Sequence, residues 1–327
     1  MHHRAFGRDA FKTSEIGLGT WQIGGSWGDV DDATAARTLE AAIESGVNFL
    51  DTADVYGGGL SERRIGNFLK AHGHRVFVAT KLGRGGDPRW PGNFSRKVFF
   101  THAEASRKRL QTDSLDLIQM HCLPTDLLRA GACFDWLREM KSAGLVRRWG
   151  ASVESMDEAQ ICLQQDGLSA LQIIFNIYRQ KPIDTLFADA KSKGVALIVR
   201  LPLASGLLSG KFTKDTRFAA DDHRNFNRDG QSFNVGETFA GLPFEKAVEL
   251  TEALRELLPE KPAMAMLALR WILDFDAVSV IIPGAKRPDQ AKENATASGL
   301  APLPSELHDR LRRFYEERVA SHIRGPY

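Results

Sequence analysis

The sequence has few cysteines, and they do not lie in pairs. Its three cysteines are Cys122, Cys133 and Cys162. Their odd number and wide spacing argue against a disulfide framework and against a zinc site built on CxxC pairs. We therefore expect reduced, mostly buried thiols and no bound metal.

Long apolar runs and blocks of like charge are also missing. No stretch approaches the roughly 18 consecutive apolar residues of a membrane span, and the N-terminal residues MHHRAFGRDAF lack the apolar core of a signal peptide. The 43 basic and 41 acidic residues are spread along the chain, with a formal net charge of +2. Neither a nucleic acid nor a membrane partner is indicated. These absences predict a cytoplasmic protein that binds a small molecule, and they leave its oligomeric state open.

The glycine-rich fingerprint of an open dinucleotide-binding sheet is absent as well. Glycines two residues apart are Gly17 and Gly19, Gly57 and Gly59, and Gly83 and Gly85. None of these pairs has the third glycine that GxGxxG requires, so a dinucleotide, if bound, is not bound in the Rossmann manner.

What the sequence does contain is an alternation of short β-branched runs with amphipathic helical stretches, which is typical of repeated βα units. The predicted strands are residues 16–20, 48–51, 76–81, 115–121, 148–152, 171–175, 196–201 and 278–282. Eight successive units favour a closed α/β barrel, the (β/α)8 TIM barrel, over an open doubly wound sheet. No linker or shift of composition divides the chain, so we expect one domain over residues 1–327.

Helices are predicted between and after these strands, from apolar residues that recur every three or four positions. The predicted helices are residues 32–45, 61–71, 101–110, 133–143, 156–165, 184–192, 245–258, 263–274, 289–297 and 305–320. The crossover at residues 213–242 is long and polar, a length that usually marks a functional lid.

Four polar side chains lie at or just after the ends of predicted strands. Asp51 ends the second strand, Tyr56 follows in its loop, Lys81 ends the third strand and His121 ends the fourth. Each alone has an ordinary explanation, such as a helix cap or a solvent-facing charge. Because the carboxyl ends of barrel strands share one mouth, the four together predict an acid–base site.

The chemistry of these four groups suits protonation of an oxyanion. A positive Lys81 is expected to lower the pKa of Tyr56, and Asp51 would keep Lys81 charged. A neutral His121 could polarise a carbonyl oxygen. The pattern contains no activated nucleophile and no cluster of metal ligands, so the electrons are expected to come from a hydride cofactor.

These residues resemble signatures of the aldo-keto reductase superfamily. Residues 46–56 read GVNFLDTADVY, and residues 116–121 read DLIQMH. The resemblance covers essentially the whole chain, and it is to the bacterial NADPH-dependent type, related to the potassium-channel β-subunit branch. It implies a barrel with an N-terminal β-hairpin, extra helices and a long loop after strand seven. It also implies reversible reduction of an aldehyde or ketone, with Asp51, Tyr56, Lys81 and His121 as the catalytic tetrad.

The same resemblance implies the residues that bind the cofactor. Beside the nicotinamide it places Gly19, Thr20, Trp21, Asp51, Ser152, Gln172 and Arg200. Along the phosphates and adenosine it places Leu201, Pro202, Leu203, Ser205, Gly206, Lys211, Arg217, Gly284, Lys286, Arg287, Gln290 and Asn294. Two departures stand out: the family's frequent Ser-Asn pair is Ser152-Val153, and Arg200 replaces an aromatic residue that many members stack on the nicotinamide.

NADPH is expected over NADH because Lys286 and Arg287 add charge at a helix N-terminus, where a 2′-phosphate would be favoured. Taken locally, these two cations could equally form a solvated turn. Some relatives have an arginine where Gln290 stands, so the expectation is a preference and NADH stays open.

Alternatives to a carbonyl reductase remain open from sequence. They are a redox-sensing regulatory subunit that keeps the fold, a barrel lyase or isomerase that handles sugar phosphates without redox chemistry, and a reductase run physiologically as a sugar or polyol dehydrogenase. The substrate is not indicated. Four aromatic residues in loops at the expected mouth could line its pocket or merely hold those loops: Trp21, Trp27, Trp90 and Phe94.

Overall fold

The computed structural model describes residues 1–25, 28, 30–85 and 94–327. In these residues eight parallel strands follow one another in chain order around a single sheet. Bridges from Ile16 to Ile281 and from Gly19 to Gly284 join the first and last of these strands. The sheet therefore closes into the (β/α)8 barrel that the sequence predicts.

The strands begin with a short antiparallel hairpin, as the family resemblance implies. Within the described residues they are β1 (His3–Ala5), β2 (Lys12–Ser14), β3 (Leu18–Gly19), β4 (Phe49–Asp51), β5 (Phe77–Leu82), β6 (Leu117–His121), β7 (Trp149–Ser152), β8 (Ala170–Ile174), β9 (Ala196–Arg200) and β10 (Val278–Ile281). β1 and β2 form the hairpin, and β3 to β10 form the barrel.

The interior of the barrel contains an apolar layer at its amino-terminal end. It includes Phe49, Phe77, Leu117 and Ala170 from the strands, closed from below by Phe6 of the hairpin. Phe49 and Phe77 stack with ring centroids 5.2 Å apart. This packing fills the bottom of the barrel, so an internal site can form only above it.

Side chains on a strand alternate between its two faces, and this alternation places polar groups above the apolar layer. On β5, Ala79 faces the interior and Lys81 follows two residues later, while Val78 packs outward against the helices. On β6, Leu117 faces the interior, and His121, four residues later, lies on the same face of the strand. The polar strand ends therefore point into the mouth of the barrel.

The helices surround the sheet, and a second apolar cluster lies between the two layers. Within the described residues they are α1 (Asp32–Glu44), α2 (Leu60–His72), α3 (Arg96–Leu110), α4 (Thr125–Ala130), α5 (Ala132–Ser142), α6 (Met156–Leu163), α7 (Pro182–Thr185), α8 (Phe187–Ser192), α9 (His223–Phe226), α10 (Phe244–Leu257), α11 (Met264–Leu273), α12 (Pro288–Thr296) and α13 (Ser305–Phe314). No helix in the described part of the chain is long and apolar enough to cross a membrane.

Three predicted helices differ from the observed ones. α3 begins five residues before the predicted start, because the Ser95 side chain caps it by accepting from the amide of Val98 at 3.4 Å. The helix predicted at 184–192 is split into α7 and α8 at Leu186, whose φ of −139° is not helical. The last predicted helix ends at Phe314 and continues as the π-helical turn Tyr315–Val319.

The long segment after β9 borders the carboxyl ends of the strands, since its residues Phe233 and Glu237 line the same space as Asp51 and His121. It contains α9 and the 3-10 turns Ala204–Ser209, Val235–Glu237 and Phe239–Gly241. Ser205 ties its two ends together, since its hydroxyl donates to the carbonyl of Glu237 at 3.2 Å and accepts from the amide of Phe239 at 3.1 Å. We call residues 212–241 the covering segment.

Candidate active site

Three of the four predicted catalytic residues are in direct contact at the mouth of the barrel. Lys81 is completely buried and donates to Asp51 Oδ1 at 2.5 Å and to Tyr56 Oη at 3.3 Å. A third bond from Lys81 Nζ reaches the carbonyl of Thr52 at 2.8 Å. Asp51 and Thr52 thus fix the ammonium group beside the phenol.

His121 completes the group from the neighbouring strand. Its ring lies 6.1 Å from that of Tyr56, centroid to centroid, and almost perpendicular to it at 84°. Gln119 and Gln172 donate to Asp51 Oδ2 at 3.3 and 2.7 Å, so both carboxylate oxygens are held. The structure brings all four residues predicted from the strand ends to one place.

The pKa values of these groups follow from burial and neighbouring charge. Burial raises the pKa of Tyr56 above its ordinary 10.0, although the charge of Lys81 acts to lower it. Burial alone would lower the pKa of Lys81, but Asp51 and Tyr56 together raise it. Burial and the positive charge of Arg84 hold the pKa of His121 well below 6.5. At neutral pH the site contains a protonated phenol, an ammonium group and a neutral imidazole.

One sequence expectation is corrected here. Lys81 was expected to leave Tyr56 with a lowered pKa, and its charge does act in that direction. The net shift is upward because the phenol is enclosed, and a phenolate there loses more hydration than one ammonium group restores. Tyr56 is therefore fully protonated in the free protein.

A cavity of about 620 Å³ runs from Tyr56 and His121 to the start of α12. Many of the predicted cofactor residues line it: Gly19, Thr20, Trp21, Asp51, Gln172, Arg200, Leu201, Pro202, Leu203, Ser205, Gly206, Lys211, Gly284, Lys286 and Gln290. Residues from strand ends, the loop after β9 and the N-terminus of α12 thus meet in one elongated space.

Four predicted cofactor residues do not line this cavity. Ser152 and Asn294 are buried beside residues of its wall: Ser152 pairs with Gln172 in the sheet, and the Asn294 side chain donates to the carbonyl of Gly284 at 3.3 Å. Arg287 is on the surface and pairs with Asp289 at 3.1 Å, and Arg217 donates to carbonyls of its own turn. These two arginines, which were predicted to bind phosphate, therefore do not line the cavity.

The predicted aromatic pocket is only partly described. Trp21 lines the cavity and stacks on Tyr56, with ring centroids 5.7 Å apart and an interplanar angle of 13°. Phe94 packs against the outer apolar cluster and is not among the residues that line the cavity. Trp27 and Trp90 lie outside the described residues.

Sequence reasoning missed a partly buried ion pair beside His121. Arg84 and Glu237 form a two-pronged contact, Nη1 to Oε2 at 3.1 Å and Nη2 to Oε1 at 2.8 Å. Arg84 Nη1 also lies 3.4 Å from Nε2 of His121. Arg84 follows β5 by two residues and was detectable from its place near a strand end. Glu237 had no such signal, because its position depends on how the covering segment folds back.

Further charges surround this pair. Arg200 Nη1 lies 3.5 Å from Glu237 Oε1, and Arg84 Nη2 lies 3.6 Å from Glu154 Oε1. Burial would raise the pKa of Glu237, but Arg84 and Arg200 lower it, whereas burial and the charge of Glu237 raise the pKa of Glu154. Glu237 is therefore ionised and held by two guanidinium groups.

A metal ion does not suit this cluster. Among the described residues, one group places three potential ligand atoms within 4.8 Å of one another: Cys122, Glu154 and Glu237. Arg84 and Arg200 already neutralise Glu237 there, and burial raises the pKa of the Cys122 thiol to about 11. Two fixed positive charges and a protonated thiol oppose a cation.

The far end of the cavity suits an anionic ligand. α12 begins there with Pro288 at its first turn, and the free amides of a helix N-terminus attract negative charge. Lys211 and Lys286 line the same end. Gln22 Oε1 is buried in the wall and accepts no hydrogen bond from the described residues. An elongated ligand whose phosphates lie toward α12 fits these groups.

Comparisons with known proteins agree with this geometry. A family model described as "Aldo/keto reductase family" matches residues 15–316. The aldo-keto reductase YhdN of Bacillus subtilis is 31% identical over 334 residues, covering 100% of this chain and 97% of that protein. An Arabidopsis thaliana protein named as a probable voltage-gated potassium channel subunit beta is 27% identical, with 93% of each chain covered. The NADH-specific methylglyoxal reductase of Escherichia coli is 29% identical, covering 92% of this chain and 96% of that protein.

Solved structures show the same likeness. The aldo-keto reductase AKR11C1 from Bacillus halodurans, in its holo form, superimposes with a TM-score of 0.77 at 27% identity, covering 96% of each chain. The glycerol dehydrogenase AKR11B4 from Gluconobacter oxydans also gives a TM-score of 0.77, at 26% identity, covering 99% of this chain and 97% of that one.

Proposed function

Because this chain belongs to the aldo/keto reductase family, we propose that it catalyses hydride transfer between NADPH and an aldehyde or ketone, with Tyr56 as the proton donor. The single observation that supports this most directly is the contact of Lys81 with both Tyr56 and Asp51, next to the neutral ring of His121. Nicotinamide-dependent carbonyl chemistry is what the family implies; the residue roles and the choice of cofactor are our proposals.

Each residue has a distinct part in this mechanism. The hydride comes from the reduced nicotinamide when it is bound. Tyr56 gives its phenolic proton to the oxygen of the substrate, and Lys81 stabilises the phenolate that this leaves. His121 holds the oxygen by a hydrogen bond, and Asp51 keeps Lys81 in place. In the reverse direction Tyr56 takes the proton of an alcohol.

Tyr56 is protonated at neutral pH in the free protein, as a proton donor must be. A phenol that is fully protonated at neutral pH is ready for reduction without prior proton uptake. Carbonyl reduction uses that proton, while alcohol oxidation first requires it to leave.

NADPH rather than NADH is proposed from the charges around the cavity. Lys286 lines it beside the N-terminus of α12, where the 2′-phosphate that only NADPH carries would be favoured. The Escherichia coli relative named as NADH-specific shows that the cofactor differs between proteins of this kind. Steady-state kinetics with the two cofactors in parallel measure the preference directly.

The proposal is tested with Tyr56→Phe, which removes only the acidic hydroxyl. We expect turnover with a reactive aldehyde such as 4-nitrobenzaldehyde to fall by about 100-fold or more, the usual loss for a general acid. Quenching of tryptophan fluorescence by NADPH should be unchanged. The matched control is Tyr178→Phe, since Tyr178 is also buried and its hydroxyl bonds Thr251 at 2.8 Å, away from the cavity.

Two results would contradict the proposal. Turnover that survives in Tyr56→Phe removes the proton-donor role. A wild-type protein that binds NADPH but oxidises it with no carbonyl compound in a broad panel favours a regulatory subunit over an enzyme.

A further inference from the structure

Arg84 occupies one ring nitrogen of His121 in the free protein. Its Nη1 lies 3.4 Å from Nε2 of His121, and both residues line the cavity beside Tyr56. A guanidinium group has N–H donors and no acceptor, so Nε2 must be the acceptor of this hydrogen bond. Nε2 therefore carries no proton while Arg84 is in this position.

The proton of His121 is then on its other ring nitrogen. Burial and the positive charge of Arg84 hold the pKa of His121 well below 6.5, so the ring is neutral at pH 7 and carries one proton. Because Nε2 accepts, that proton is on Nδ1. Nδ1 is enclosed by the protein and has no hydrogen-bond partner among the described residues. In the described part of the chain, the contact with Arg84 is thus what selects this tautomer.

The guanidinium group is fixed where it makes this contact. Glu237 accepts from Nη1 at 3.1 Å and from Nη2 at 2.8 Å, so both N–H groups of Nη1 are used, one by Glu237 and one by His121. The ring of Phe233 packs against the guanidinium group, whose carbon lies 5.2 Å from the ring centroid. Glu237 and Phe233 both belong to the covering segment, which therefore holds Arg84 against His121.

This contact opposes the part that His121 takes in carbonyl reduction. A neutral imidazole holds a carbonyl oxygen by donating an N–H, and the enclosed Nδ1 cannot reach the cavity, so the donor has to be Nε2. Nε2 can donate only after Arg84 has left it, when Nδ1 has lost its proton to water and Nε2 has taken one up. On the basis of the reductase function proposed above, we propose that Arg84 is a positioning residue that keeps His121 in the Nδ1-protonated tautomer and restrains the site until it moves away.

The restraint is weak enough to be released. A distance of 3.4 Å is long for a hydrogen bond from a nitrogen, whereas the contacts of Arg84 with Glu237 are shorter. The guanidinium group can thus leave His121 and keep Glu237. Glu154 Oε1 lies 3.6 Å from Nη2 of Arg84, and Arg200 Nη1 lies 3.5 Å from Glu237 Oε1, so charges of both signs surround the group on its way.

The tautomer is measured directly by ¹⁵N NMR of protein labelled at its histidines, with the signals of His121 identified by their loss in His121→Gln. In the wild-type protein without ligands we expect a protonated Nδ1 and an unprotonated Nε2. In Arg84→Met, which keeps a long side chain but has no donor, we expect the proton on Nε2. A defect in folding alone does not exchange the protonated nitrogen of one ring.

Kinetics test the restraint itself. With 4-nitrobenzaldehyde and saturating NADPH, kcat/KM should rise by about fivefold in Arg84→Met, because the substrate no longer competes with one modest hydrogen bond. Arg270→Met is the matched control: Arg270 forms a buried ion pair with Asp274 at 2.9 Å, and neither residue lines the cavity. This variant should leave both the tautomer and kcat/KM unchanged. If Arg84→Met does not yield folded protein, the spectrum of the wild-type protein still decides.

Failure of this inference is distinguishable from failure of the proposed function. A proton on Nε2 in the wild-type protein overturns the inference, and so does a proton that stays on Nδ1 in Arg84→Met. A fall of kcat/KM in Arg84→Met with the proton on Nε2 shows that Arg84 does not restrain the site. All three results leave the reductase function intact if the wild-type protein reduces 4-nitrobenzaldehyde. If it reduces no carbonyl compound, the proposed function is wrong, whereas the spectra still show whether Arg84 sets the tautomer.

Discussion

Asp54 is a buried acid two residues before Tyr56, and the proposed mechanism does not use it. Its Oδ1 has no hydrogen-bond partner among the described residues, and Nδ1 of His102 is 3.8 Å from its other oxygen. Burial and the charge of Glu62 raise the pKa of Asp54 to about 7. At neutral pH this residue is therefore close to half ionised inside the protein.

Replacement of Asp54 by asparagine should make stability less dependent on pH. The folded pKa of about 7 lies above the ordinary value of 3.8, so the folded state binds more protons and stability falls as pH rises through this window. Between pH 5 and pH 8 the free energy of unfolding of the wild-type protein should fall by roughly 2 to 3 kcal/mol more than that of Asp54→Asn.

Urea unfolding at several pH values measures this difference. The exposed Asp309 provides the control, since Asp309→Asn should leave the pH dependence as in the wild type. Parallel pH profiles of Asp54→Asn and wild type would show that Asp54 titrates as an ordinary surface acid.

At the scale of elements, the N-terminus of α12 is the part of the protein that we expect to bind the negatively charged phosphates of the cofactor. Lys286 and Gln290 line the cavity, and the Lys286 amide donates to Gln290 Oε1 at 3.0 Å. A glutamine here can accept from the backbone, whereas an arginine would add a second positive charge. Lys286 thus provides the charge at this end of α12 that faces the cavity.

Lys286→Ala should raise the KM for NADPH by roughly tenfold and the KM for NADH much less, because a charged contact to the 2′-phosphate is lost. Lys292→Ala on the same helix is the control: Lys292 is exposed and pairs with Glu44 at 3.7 Å. Steady-state kinetics with both cofactors measure the two KM values. An equal rise for NADPH and NADH would mean that Lys286 does not contact the 2′-phosphate.

At the scale of the whole molecule, the hairpin and the candidate active site lie at opposite ends of the barrel. Phe6 is 1% exposed and packs on Phe49 and Phe77, with ring centroids 5.7 and 5.3 Å away. The Arg4 side chain fastens the hairpin to the start of β10 by donating to the carbonyls of Phe275 and Val278, both at 3.0 Å. The bottom of the barrel is thus closed by packing that does not reach the site.

Phe6→Ala should lower the free energy of unfolding by about 3 to 5 kcal/mol, the usual cost of a large cavity in a core. The KM for a carbonyl substrate should not change at a temperature where the variant is folded. Denaturant unfolding together with kinetics tests both parts. Phe6→Leu should recover most of the stability, and a changed KM in either variant would show that the two ends of the barrel are coupled.

The barrel and its four acid–base residues follow from local patterns. Strand alternation places Lys81 and His121 on the inner face, and parallel strands bring their carboxyl ends together whatever the loops do. Helix boundaries were less accurate where a side-chain cap or a kink decides them, as at Ser95 and Leu186.

The sequence by itself determined the fold and the convergence of Asp51, Tyr56, Lys81 and His121 at the mouth of the barrel, because these depend on period and order along the chain. Only the tertiary structure brought Glu237 and Phe233 against Arg84, since their positions depend on how the covering segment folds over the mouth. Only it fixed the direction of the Tyr56 pKa shift, because the cost of burying a phenolate depends on everything packed around it.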